Sequence, residues 1–113
     1  MVRWGSYNKY GNHKCQYKGI KFDSKKECEY FIYLEALEAQ GEISELQRQV
    51  RFELQPSFKH NEKTIRSITY VADFTFKDQD GQLHIVDTKG VKTEVYKIKK
   101  KMMQYKGDNI EEI

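Results

Sequence analysis

The sequence predicts an α/β (α+β) domain in which a small mixed β-sheet is flanked by helices, in the order αβββαβ. Three observations predict this fold: an apolar repeat at helical spacing with capping residues at its ends, an alternating strand-like stretch after it, and Asp80-Gly81 between two β-rich runs. With 113 residues the chain has the length of one domain. Aromatic residues make up 13% of it, which is enough for a modest core despite a mean hydropathy of −0.86.

The first helix is predicted to begin at Ser24 and to end near Gln40. Ser24 is a suitable N-cap, Glu27 completes a capping box three residues later, and Gly41 is a natural stop. A short strand is expected just before the helix, at residues 20–22. The apolar residues that recur at helical spacing are Phe31, Leu34 and Leu37.

Three strands, a second helix and a last short strand are predicted after the first helix. The first strand ends at Pro56, the second covers residues 68–76, and the third covers residues 83–89, after a tight turn at Asp80-Gly81. The second helix spans residues 93–105, and a last strand is expected at 110–113. The apolar residues of the first strand are Val50, Phe52 and Leu54, and those on one stripe of the second helix are Val95, Ile98 and Met102.

Composition excludes several classes of protein. No run approaches the roughly 18 apolar residues of a membrane span, and the N-terminus lacks the apolar stretch of a signal peptide. The two cysteines, Cys15 and Cys28, are too few for a disulfide framework and lack metal-ligand spacing. Zinc fingers, secreted mini-domains and membrane proteins are therefore excluded, and a reducing cytoplasmic compartment is expected.

Charge is segregated along the chain, although the net charge is only +3. Residues 1–26 carry +6, residues 27–62 carry −5, and residues 63–113 carry +2. Such clustering favours a polyanionic partner, most often nucleic acid. The alternative is that the charged residues only form ordinary solvent-exposed faces of the protein. We interpret residues 1–19 as a basic and aromatic N-terminal arm and residues 20–113 as a single domain.

Polar residues interrupt two of the predicted strands where apolar residues are expected. Asp73 lies within the second strand, and Asp87 and Lys89 lie two positions apart at the end of the third. Residues i and i+2 of a strand share a face, and the hairpin brings the two strands together, so all three side chains can converge. An Asp–Lys salt bridge is one explanation. A divalent cation is the other, because two carboxylates in apolar strands are otherwise costly to keep.

This order of residues resembles the PD-(D/E)XK nuclease superfamily. Asp73 corresponds to the first acid, and Asp87-Thr88-Lys89 corresponds to the (D/E)-x-K element. Ala72 stands before Asp73 where many members have proline, a replacement that is frequent in the superfamily.

A glutamate of the first helix extends the resemblance. Glu27 lies on the helix face that holds Phe31 and Leu34, and members of the superfamily often add a glutamate from their first helix to the metal site. The stretch at 22–27 and the helix after it look like one branch, the small phage- and prophage-encoded proteins of formerly unknown function. The resemblance covers residues 7–106.

The resemblance implies a restriction-endonuclease-like core and a Mg²⁺-dependent (or Mn²⁺-dependent) DNA endonuclease of phage or prophage origin. Such an enzyme would hydrolyse phosphodiesters in recombination, replication or packaging DNA, in the cytoplasm of the host bacterium. The implied catalytic residues are Asp73, Asp87, Lys89 and Glu27, and the implied metal ligands are Asp73, Asp87, the Thr88 carbonyl and Glu27, with Gln49 as possible support.

Basic residues outside this constellation are expected to bind the phosphates of DNA. They are Lys92, Lys97, Lys99, Lys100 and Lys101 of the second helix region, and Lys9 and Lys14 of the arm. The aromatic Tyr10 of the arm is expected to stack on unpaired or distorted bases. The arm residues have packing on the domain as their alternative role. A non-catalytic nucleic-acid-binding module is the alternative function. Branched, single-stranded and duplex DNA stay open as substrates, as do RNA and a homodimeric state.

Overall fold

The computed structural model describes residues 15–88 and 90–113. They divide into two compact units, one ending at Ile43 and the other spanning Ser44–Ile113. The architecture is α+β with a four-stranded mixed sheet, which confirms the predicted fold class. No helix in the described part of the chain is long and apolar enough to cross a membrane.

The first unit contains a short hairpin and a helix. Strands β1 (Cys15–Tyr17) and β2 (Ile20–Phe22) pair antiparallel, so the predicted boundary between arm and domain at residues 19 and 20 falls inside a hairpin. Helix α1 (Lys25–Ala39) confirms the first predicted helix. The Ser24 hydroxyl caps its start, as predicted, by accepting the Glu27 N–H at 3.1 Å. The buried residues of α1 are Glu27, Cys28, Phe31 and Leu34.

The second unit is built on a sheet with the order β3-β6-β7-β8. The strands are β3 (Ser44–Gln55), β6 (Ile68–Lys77), β7 (Leu83–Asp87) and β8 (Ile110–Glu112). The first three run antiparallel, and β8 pairs parallel with β7 after the crossover through helix α2 (Glu94–Lys106).

The β6–β7 hairpin is confirmed, although β7 ends at Asp87, so Thr88 lies outside the strand predicted to reach residue 89. Asp78 organises the turn, since its Oδ1 accepts the N–H groups of Asp80 and Gln82 at 2.9 and 3.0 Å. Gly81 adopts a φ of 81°, a conformation that costs glycine little. The local signal at Asp80-Gly81 was therefore sufficient to predict this hairpin.

The connection between β3 and β6 contains a hairpin that the sequence analysis did not assign. Strands β4 (Phe58–His60) and β5 (Lys63–Ile65) pair antiparallel around a turn at Asn61-Glu62. Both turn residues have positive φ, 50° and 63°, which matches the twist of a two-residue hairpin.

Helix α2 buries a different stripe from the one that its apolar residues indicate. Val95 and Ile98 are 61% and 57% exposed, whereas Tyr96 and Met103 are buried. Tyr96 and Met103 belong to the core of this unit, which also contains Tyr70, Ala72, Ile85 and Ile110. The helix is apolar on two faces, and packing against the sheet selects the face that carries the Tyr96 ring.

Candidate functional site

The register of β6 and β7 brings the two predicted carboxylates to neighbouring positions. The paired residues run from Lys77 and Leu83 to Phe74 and Val86. Asp73 and Asp87 are the residues that directly follow this last pair on the two strands, so they lie close to each other at the open end of the hairpin.

Asp73 is held by the residue that follows β7. Its Oδ2 accepts the Thr88 N–H at 2.9 Å and the Thr88 hydroxyl at 2.8 Å. The Asp73 side chain is half-buried. These two hydrogen bonds fix the carboxylate and tie the end of β7 to β6, which also sets where the Thr88 carbonyl lies.

Asp87 is held by a phenol instead. Its Oδ2 accepts the Tyr70 hydroxyl at 2.6 Å, and the Asp87 side chain is completely buried. The pKa of Tyr70 is raised well above its usual value, mainly because the side chain is buried and secondly because it donates a hydrogen bond to Asp87. Tyr70 therefore holds the Asp87 carboxylate by donating a hydrogen bond from a buried phenol.

A third carboxylate, which the sequence analysis missed, lies next to Asp87. The parallel β7–β8 ladder pairs Asp87 with Glu112. Glu112 accepts the Tyr96 hydroxyl at 2.6 Å and lies 3.0 and 3.1 Å from the ammonium groups of Lys92 and Lys100. The Tyr96 hydrogen bond above all, and then those of the two lysines, lowers the pKa of Glu112 to about 2.

The two phenols connect these acids. The rings of Tyr70 and Tyr96 lie 6.3 Å apart, and the charges of Asp73 and Asp87 both act on each phenol. Burial is the main cause of the raised pKa of Tyr96, followed by its hydrogen bond to Glu112. Phenol, threonine hydroxyl and backbone N–H are neutral donors, so they orient the two aspartates without cancelling their charge.

The donor set at this position suits a hard cation. Mg²⁺ typically takes one or two carboxylates together with waters and substrate phosphate, and Asp73, Asp87 and the Thr88 carbonyl are oxygen ligands of this kind. Within residues 15–88 and 90–113 no group of three or more His, Cys, Asp or Glu side chains is arranged to hold a metal ion. The protein would therefore supply two carboxylates at most from this part of the chain.

Other predicted site residues lie in different places. Glu27 is in the first unit, in the first turn of α1, and is only 6% exposed, whereas the neighbouring Glu29 is exposed and pairs with Lys25 at 3.8 Å. Gln49 lies between the ladder positions that flank Asp73 and has a φ of 53°. Such a backbone is uncommon for a non-glycine residue. Lys89 lies outside the described residues.

The lysines that were expected to bind phosphate fall into two groups. Lys92 and Lys100 contact Glu112, and Lys97 contacts Glu94 at 3.3 Å, so each has an acidic partner within the protein. Lys99 is half-buried and Lys101 is exposed. The predicted arm residues Lys9, Lys14 and Tyr10 lie outside the described residues.

Taken together, these features define a small α+β protein whose sheet carries two aspartates on neighbouring strands of a β-hairpin, one held by a threonine and the other by a tyrosine. The chain belongs to the family described as "Protein of unknown function (DUF1064)", whose profile matches residues 7–112. Neither the curated proteins nor the solved structures contain a match to it.

Proposed function

We propose that the protein is a Mg²⁺-dependent (or Mn²⁺-dependent) endodeoxyribonuclease of phage or prophage origin. The observation that carries the proposal is the position of Asp73 and Asp87 directly after the last pair of the β6–β7 ladder, with the Asp73 carboxylate bonded to Thr88, the residue that follows Asp87. The resemblance of Asp73 and Asp87-Thr88-Lys89 to the PD-(D/E)XK pattern supports the same function.

In this proposal Asp73, Asp87 and the Thr88 carbonyl hold the divalent cation. The cation would polarise a phosphodiester and lower the pKa of water in its coordination sphere. Thr88 keeps the Asp73 carboxylate in place through two hydrogen bonds, and Tyr70 does the same for Asp87 through one. These contacts fix the carboxylates before substrate binds, so little reorganisation is needed at the moment of reaction.

The remaining catalytic roles rest on the sequence pattern. Lys89, two residues after Asp87, orients the attacking water and offsets charge on the phosphate. The PD-(D/E)XK resemblance also assigns a catalytic role to Glu27, the buried glutamate of α1. Gln49 supports the site from the strand position across from Asp73, where the left-handed backbone marks a local strain.

A non-catalytic nucleic-acid-binding module is the second candidate function. The observation that favours it is the complete burial of Asp87, because in a nuclease both a cation and a substrate phosphate must approach that carboxylate. The same fold would then bind DNA through its basic residues and use the Asp87–Tyr70 hydrogen bond only as part of its core.

Cleavage of a substrate panel by matched variants tests the proposal. Branched, single-stranded and duplex DNA are incubated with the protein in Mg²⁺, Mn²⁺ or EDTA. The parent is compared with Asp73→Asn, Asp87→Asn and the control Asp80→Asn, which makes the same change at the exposed turn of the same hairpin. We expect metal-dependent cleavage by the parent and the control, and none by the other two variants.

Two results would contradict the nuclease. One is the absence of cleavage of every substrate by the folded parent protein. The other is cleavage that the Asp73→Asn and Asp87→Asn variants retain. Binding of DNA that is equal in Mg²⁺ and EDTA, and equal in all variants, would establish the non-catalytic module instead.

A further inference from the structure

The β4–β5 hairpin is the outer end of a longer β-ribbon. The β3–β6 ladder ends at the pair Gln55 and Ile68, and the β4–β5 ladder continues in the same register from Phe58 and Ile65. From Gln55 to His60 the ribbon can extend about 17 Å, at roughly 3.3 Å per residue.

The hairpin presents all of its residues to solvent. Residues 56–67 form an uninterrupted exposed segment, including an apolar cross-strand pair in which Phe58 is 46% and Ile65 is 37% exposed. A two-stranded hairpin is marginally stable alone in water. Exposed apolar side chains on a projecting hairpin therefore point to a partner that contacts it.

The charge of this segment indicates the kind of partner. Its charged residues are Lys59, Lys63, Arg66 and Glu62, which give a net charge of +2 with His60 neutral. Lys59 lies opposite Thr64 on one face, and Lys63 lies opposite His60 on the other, so both faces carry a cation. A partner that presents negative charge to both faces of the hairpin would therefore complement it.

We propose that the β4–β5 hairpin binds the groove of duplex DNA. The major groove is about 12 Å wide and admits a two-stranded β-ribbon, and its walls place phosphates on both sides of the inserted element. Lys59 and Lys63 contact the phosphates of the two walls, Arg66 contacts the backbone at the base of the hairpin, and the Phe58–Ile65 pair contacts sugars and base edges. This inference rests on the proposed DNA-binding function and adds the part of the fold that holds the duplex.

Salt-dependent binding to a 20-base-pair duplex in EDTA tests the proposal without cleavage. The full-length parent is compared with the double variant Lys59→Gln/Lys63→Gln and the control Lys21→Gln/Lys25→Gln, which removes the same charge from the first unit. Each phosphate contact contributes about 0.9 to the slope of log affinity against log salt, so the hairpin variant should lose about 1.8 of slope. The control should keep the parent slope, and Glu62→Gln should bind more tightly than the parent.

Separate outcomes distinguish this inference from the proposed function. If the parent binds and cleaves DNA, but the hairpin variant has the parent slope and affinity, the hairpin inference is wrong and the nuclease stands. If the hairpin and control variants lose slope equally, net charge explains the effect and the inference is again wrong. A parent that binds no DNA would overturn both proposals.

Sedimentation velocity tests whether the hairpin instead binds a second copy of this protein. If the parent is a dimer and Phe58→Ser is a monomer with unchanged DNA affinity per chain, the hairpin is a protein interface and the DNA inference is overturned. Reduced DNA affinity of Phe58→Ser at an unchanged oligomeric state supports it.

Discussion

Tyr70→Phe removes the hydrogen bond that holds Asp87 and leaves nearly all of the packing in place. The Tyr70 ring contacts the rings of Phe52 and Tyr96, both at a centroid distance of 6.3 Å, and phenylalanine retains these contacts. The lost group is a buried hydroxyl that lies 2.6 Å from a completely buried carboxylate. A hydrogen bond to a charged group contributes about 1.5–3 kcal/mol, so we expect the free energy of unfolding to fall by that amount.

Urea unfolding followed by circular dichroism measures this loss. The midpoint should fall and the slope should stay unchanged, since the surface exposed on unfolding is nearly the same. Tyr105→Phe is the matched control, because it makes the same change in the same unit at a side chain that is 95% exposed. It should change stability by less than about 0.5 kcal/mol.

The comparison of the two variants decides whether the Asp87–Tyr70 bond has the strength assigned to it. A loss for Tyr70→Phe no larger than the loss for Tyr105→Phe would refute the argument, since the buried carboxylate would then not depend on the phenol. If the nuclease proposal is right, Tyr70→Phe also lowers the rate of cleavage, because Asp87 is less firmly oriented.

Three further predictions concern titratable groups. The hydrogen bond to Asp78, and then the one to Glu111, raises the pKa of His84. Protonated His84 therefore contributes fully to stability below pH 6.5, and this contribution is lost as the pH rises through the higher pKa of the folded protein. Urea midpoints measured over a pH series should show this decline for the parent and not for the His84→Gln variant. Glu112→Gln should destabilise the protein at pH 7, and this loss of stability should disappear as the pH falls from 4.5 towards 2. The variant should also bind DNA with a steeper dependence on salt, because it frees Lys92 and Lys100. An unchanged slope of log affinity against log salt would contradict this second expectation. Lys89→Ala should slow cleavage by about 10²–10⁴ while calorimetry finds Mg²⁺ affinity retained, and a loss of that affinity would refute the assigned role.

Local signals accounted for the elements that the sequence predicted well. The N-cap at Ser24, whose hydroxyl accepts the Glu27 N–H, marks the start of α1, and Asp80-Gly81 marks the β6–β7 turn. That turn joins the strands that carry Asp73 and Asp87, which is why the two residues could be assigned to neighbouring strands from the sequence.

Features that depend on distant contacts could not be predicted in the same way. Glu112 reaches Asp87 only because α2 crosses over and β8 pairs parallel in one register, and no local pattern specifies that register. The buried face of α2 was chosen by packing of Tyr96 and Met103 on the sheet, against the apolar stripe at Val95 and Ile98. The β4–β5 strands are only three residues long each, too short for a periodic signal.

The hairpin connection between Asp73 and Asp87 has a consequence for the order in which the protein folds. The two aspartates are fourteen positions apart on strands joined by a short turn, so we expect them to come close early in folding, on the microsecond scale of hairpin formation. Glu112 and the lysines that neutralise it arrive only after α2 has crossed over and β8 has added to the sheet. An early folding species would therefore carry the two neighbouring carboxylates before the rest of the charge network exists, and we expect divalent cations to accelerate its closure by screening their repulsion.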